Sequence, residues 1–118
     1  MATQMELLAN MLDEADAIVC LKDEDGRFLF LNRRAAEVLK TTKEDAVGKR
    51  DLDFLGEEDA ERVRAMDRKV METGEPVNYE VEAPFPVGRT RILDHKFPVS
   101  LDGRRAVGGV AIEVEKRG

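Results

Sequence analysis

Apolar and polar positions along this chain change period several times, and each change marks an element. Met5, Leu8, Leu12 and Ala15 are spaced three, four and three apart. That spacing puts them on one stripe of a helix over residues 2–15, with Leu7 and Met11 beside it. Two short apolar runs follow, Ala17 to Leu21 and Phe28 to Leu31, separated by Asp23-Glu24-Asp25-Gly26. Such a pair predicts a hairpin in which Gly26 supplies the positive φ of the turn. Asn32 stands where an N-cap would accept from the free amides of a helix over residues 33–40. Thr42 and Asp45 then have capping-box spacing, and Gly48 breaks the turn they start.

A longer helix is expected from Glu57 to Thr73. Glu57, Glu58 and Asp59 favour its positive N-terminus, and Gly74 stands where a left-handed C-terminal residue belongs. Val63, Met66, Val70 and Met71 form its core side, and Arg62, Arg64, Asp67, Arg68 and Lys69 are assigned to its solvent side. Pro76 closes the helical stretch. Three runs of strand character follow, over residues 77–82, 90–99 and 105–114, the last two joined by the tight Asp102-Gly103 turn. Helix, two strands, helices, three strands is the order of an α+β domain with one antiparallel sheet and its helices on one face.

Composition narrows the function. With 118 residues the chain suits one domain and one core. Its charged fraction of 37% is well above the usual ~25%. A net charge of −6 opposes binding to a phosphate backbone, so nucleic acid is not an expected partner. Cys20 is the single cysteine and cannot form an internal disulfide, and no basic, apolar leader is evident, so a cytoplasmic setting is expected. No apolar run reaches the ~20 residues of a membrane helix, so no membrane contact by this segment is expected.

The strand–turn–strand–Asn32 opening, followed by Gly48-Lys49-Arg50-Asp51-Leu52-Asp53-Phe54-Leu55 and later by Lys96-Phe97-Pro98 and Asp102-Gly103, resembles the PAS sensory-domain family from about Asp16 to Val114. The resemblance implies a five-stranded antiparallel sheet with short helices and one longer helix on one face. Residues 1–15 would form a flanking amphipathic helix, and residues 16–118 the PAS domain. It also implies a non-enzymatic sensory and interaction module that dimerises and passes a signal to an effector, such as a histidine kinase or a cyclic-dinucleotide enzyme. The alternative is a small-molecule sensor holding a metabolite or cofactor between sheet and helices.

In that frame a pocket would draw on Leu39, Val63, Met66, Val70, Tyr79, Val81, Leu93, His95 and Phe97, and dimerisation on Met5, Leu8, Leu12 and Ala15. The alternative is that the same apolar side chains simply fill the core. His95, the sole histidine, is either a pocket contact or a hydrogen-bonded sheet residue, and nothing placed with it by spacing supports a metal. Haem-binding relatives carry their ligand on the long helix, which here has no histidine. Flavin-binding light sensors carry an Asn-Cys-Arg-type motif, whereas this chain has Asn32-Arg33-Arg34 and keeps Cys20 in a strand, where it reads as a small buried hydrophobe. No cofactor is therefore expected. Arg89 and Arg91 could meet an anion. The family's usual Asp-Ile-Thr junction is replaced by Ala111-Ile112-Glu113-Val114-Glu115-Lys116.

Overall fold

A computed structural model describes residues 1–114. Its elements run α1 (Gln4–Glu14), β1 (Ile18–Asp23), β2 (Phe28–Leu31), α2 (Arg33–Val38), α3 (Lys43–Ala46), a 3₁₀ turn (Asp51–Asp53), α4 (Glu57–Thr73), β3 (Val77–Phe85), β4 (Gly88–Leu101) and β5 (Arg104–Glu113). The strands form one antiparallel sheet in the order β2-β1-β5-β4-β3. The α+β, PAS-like arrangement expected from the sequence is thus the arrangement observed. Glu115 and Lys116, which complete the atypical C-terminal junction, lie outside the described residues.

Local chemistry explains the boundaries. Gly26 has φ 81° in the first hairpin, and Gly74 has φ 70° just past α4, both in the left-handed region that a side chain would strain. The Thr42 side chain accepts from the Asp45 amide and starts α3. At the other end of the chain, Thr3 and Glu6 form a reciprocal capping box that starts α1, a signal the spacing of apolar residues did not carry.

Asn32 does more than cap. It is fully buried, and its Oδ1 accepts from both the Ala35 and Val19 amides at 3.0 Å. Its Nδ2 donates to the Leu12 and Ala17 carbonyls at 2.8 Å. One amide side chain therefore ties α1, β1 and α2 together. Asp13 reinforces the same joint by accepting from the Arg33 amide and from Lys43.

The inner face of the sheet carries Ile18, Cys20 and Lys22 on β1, Ile92, Asp94 and Lys96 on β4, and Val107, Gly109 and Ala111 on β5, as the cross-strand register requires. Two apolar clusters sit against it. The larger joins Ile18, Phe28, Leu31, Val38, Leu39, Ile92 and Ala111 beneath α2 and α3. The smaller joins Val70, Met71, Val107 and Val77 beneath the C-terminal half of α4. Each buried aliphatic side chain contributes roughly 1.5–3 kcal/mol.

Candidate functional site

Between the larger cluster, α4 and the inner sheet face lies a cavity of about 640 Å³. Its wall is largely apolar, drawing on Leu31, Val38 and Leu39 from the core, Val63 and Met66 from α4, and Val81 and Phe85 from β3. The exposed lining residues, Arg62 on α4 and Val81 and Glu82 on β3, mark its mouth. Arg62 there pairs with Asp59 one turn earlier.

The opposite end is polar and buried. Lys22 Nζ donates to Asp51 Oδ2 at 2.7 Å and to Asp67 Oδ2 at 2.9 Å, and Lys96 Nζ donates to Asp67 Oδ1 at 2.7 Å. Lys22, Asp67 and Lys96 are all less than a tenth exposed. Tyr79 donates its hydroxyl to Asp94 Oδ2 at 2.9 Å. The Lys22 ammonium also faces the Phe28 ring, 5.3 Å from its centroid. The network separates the cavity from the smaller apolar cluster and pins α4 and the 3₁₀ turn to β1 and β4.

Burial alone would not permit these charges, since isolated ions are costly in a low-dielectric interior. Desolvation pulls the Lys22 pKa down, but the Asp51 and Asp67 carboxylates outweigh it and hold the group above the ordinary lysine value. Desolvation pushes Asp67 up, yet Lys22 and Lys96 prevail and hold its carboxyl below the usual aspartate value. Tyr79 is pushed up by burial and by the neighbouring Asp94 charge, so its hydroxyl stays a donor. Cys20 lines the cavity, and burial raises its thiol pKa, which keeps it protonated and unreactive.

Five of the nine pocket residues named from sequence, Leu39, Val63, Met66, Tyr79 and Val81, line this cavity. Four do not. Val70 is buried one turn beyond Met66, within the smaller cluster. Leu93, His95 and Phe97 share one face of β4, as alternation requires, but it is the outer face, because Ile92, Asp94 and Lys96 take the inner one. Leu93 is half exposed, and the His95 ring stacks on Phe97 with centroids 5.1 Å apart. His95 lies outside the cavity lining, and its buried Nδ1 has no hydrogen-bond partner among the described residues.

Asp67 also departs from expectation: assigned to the solvent side of α4, it is 1% exposed. Its position is in helical phase with Ala60, Val63, Val70 and Met71, and that phase was the available signal. Arg91 pairs with Glu80 across the outer face, and Arg89 is exposed. Along α1, Met5, Leu7, Leu8 and Met11 are each at least half exposed, whereas Leu12 and Ala15 are partly covered.

A five-stranded antiparallel sheet covered on one face by several short helices and one long one, with a cavity between the layers, is the arrangement of a particular α+β domain class. The family model for the PAS fold matches residues 12–117, and the chain belongs to the PAS family. It is 40% identical over 75 residues to the uncharacterized protein y4lL of Sinorhizobium fredii, a match covering 64% of this chain and 9% of that protein. Among solved structures it resembles Vibrio cholerae VqmA. In VqmA bound to DPO the TM-score is 0.82 at 19% identity, covering 97% of this chain and 60% of the other. It also resembles the PAS domain of the Cronobacter turicensis quorum-sensing receptor RpfR in complex with BDSF. There the TM-score is 0.70 at 14% identity, over 86% of this chain and 97% of the other. The chain thus spans less than two thirds of y4lL and of VqmA. No helix among the described residues is long and apolar enough to cross a membrane.

Proposed function

We propose that this PAS domain is a non-enzymatic sensor of a small organic molecule, which it holds in the cavity between sheet and helices. The observation that carries the reading is the cavity: about 640 Å³, apolar along its wall and polar at its buried end. That size and composition suit a ligand site, in which apolar contacts supply affinity and a few convergent polar groups fix orientation. The complexes of VqmA with DPO and of RpfR with BDSF lend support at the level of the fold. The signal would pass to an effector such as a histidine kinase or a cyclic-dinucleotide enzyme, in the cytoplasm, where the lone Cys20 thiol stays reduced. Native mass spectrometry of the domain purified from its own cells tests this. A retained organic mass that leaves on denaturation is expected, and only the bare chain would count against it.

A second element of the reading rests on α1. Residues 1–15 act as a flanking helix that joins two protomers, because Met5, Leu7, Leu8 and Met11 otherwise face water.

A further inference from the structure

Resting on the ligand-sensing reading above, the polar end of the cavity restricts what it can hold. Among the described residues, the three N–H donors of Lys96 are not all used. One goes to Asp67 at 2.7 Å, and the next carboxylate oxygen, Asp94 Oδ2, is 3.9 Å away, beyond hydrogen-bonding distance. Lys96 therefore has donor capacity left at the cavity wall. Lys22 does not offer the same, since its ammonium is directed to Asp51, Asp67 and the Phe28 ring. Asp94 lines the cavity too, and its Oδ2 takes the Tyr79 hydroxyl while Oδ1 has no protein hydrogen bond among the described residues. A free donor and a free acceptor thus stand side by side.

Charge decides among the ligands that could use them. Two ammoniums, Lys22 and Lys96, meet three carboxylates, Asp51, Asp67 and Asp94, which leaves the buried end with one surplus negative charge. A carboxylate ligand would add a second to a desolvated site, and an ammonium ligand reaching Asp94 would lie against Lys96. Both arrangements place like charges together where water screens them least. An uncharged ligand avoids both costs.

We propose that the cavity binds a neutral molecule with an apolar body and a hydrogen-bond acceptor beside a donor, as in a lactam or an α-hydroxy ketone. The acceptor takes a proton from Lys96 Nζ, and the donor gives one to Asp94 Oδ1.

Three ring compounds of similar bulk separate the alternatives: ε-caprolactam, cyclohexanecarboxylate and cyclohexylammonium. In a titration followed by amide NMR, caprolactam is expected to shift the signals of Tyr79, Asp94 and Lys96. Its binding should be at least about tenfold tighter than that of either charged probe. Asp94→Asn removes the surplus charge and leaves a single carboxamide oxygen for both Tyr79 and the ligand donor, so the carboxylate should gain about tenfold while the lactam weakens. Retained amide dispersion verifies that this variant is folded. A charged probe that binds the wild type as tightly as the lactam overturns the inference but leaves a ligand-binding cavity in place. Lactam shifts that map away from the cavity, or no shifts from any probe, also overturn it. In those cases the retained-mass experiment judges the sensing reading separately.

Discussion

Asp67 on α4 accepts from Lys96 on β4 at 2.7 Å, with neither side chain more than 8% exposed. The bond spans the boundary between cavity and smaller core, so it bears on how the ligand chamber keeps its shape. Breaking a buried pair by removing one partner typically costs 3–5 kcal/mol, because the other charge is stranded. Asp67→Leu and Lys96→Met should each destabilise by about that amount in urea unfolding. The double variant should cost clearly less than the sum, since Lys22 keeps Asp51 as a partner. Additive losses would mean that the pair is not energetically coupled.

The same network sets the pH range of stability. The folded Asp67 pKa lies below its unfolded value of about 3.9, so its contribution is complete above that value and is lost as pH falls through the folded pKa. Lys22 is shifted upward, so its contribution is complete below about 10.4 and is lost as pH rises through its folded pKa. Tyr79, also raised, resists ionisation on the alkaline side. Urea midpoints should therefore be flat between about pH 5 and 9 and fall on both sides. The acid limb should be shallower in Asp67→Leu; an identical limb would assign the acid loss to other carboxylates.

Asn32→Ala removes four hydrogen bonds at a fully buried site and leaves the Val19 and Ala35 amides and the Ala17 carbonyl to find other partners, while the Leu12 carbonyl keeps the Ala15 amide. At a net value of roughly 1 kcal/mol each, the loss should be about 2–4 kcal/mol, well above that of an exposed cap. A loss under about 1 kcal/mol would mean that the cap alone matters.

Much of this architecture was legible because it rests on local signals. Asn32 and Thr42 fix caps through their side-chain oxygens, Gly26 and Asp102-Gly103 fix turns through their backbone conformations, and α4 ends at the Gly74 that its sequence placed there. The ion network was hidden for the opposite reason. Lys22 and Asp67 are 45 residues apart and Asp67 and Lys96 are 29 apart, and a single charge in an amphipathic pattern looks like a solvated one. On β4 the consequence was a reversed face. Leu93, His95 and Phe97 are more apolar than Ile92, Asp94 and Lys96, so periodicity turns them inward. The structure turns the charged set inward because Asp67 and Tyr79 wait there. Gly108 completes the outer surface: a Cβ there would run into the Phe97 ring, so Phe97 lies over a glycine.

On α1 the exposed face is made by Met5 and Leu8 with Leu7 and Met11, while Leu12 is partly covered and its carbonyl is held by Asn32. Burying two or three such side chains per chain at roughly 1.5–3 kcal/mol each, less the cost of association, corresponds to about micromolar dimerisation. Met5→Glu with Leu8→Glu should give monomers by sedimentation with an unchanged unfolding midpoint. A wild type that sediments as a monomer at high concentration would remove α1 as a dimer contact.

Whether the chamber bounded by Tyr79, Asp94, Lys96, Val63 and Met66 holds a small molecule is visible in a crystal structure of the domain purified from its own cells. Continuous density for an organic molecule is expected in the cavity, with a polar group within hydrogen-bonding distance of Lys96 Nζ and Asp94 Oδ1. A chamber closed by repacked Val63 and Met66, or holding water alone, would contradict it.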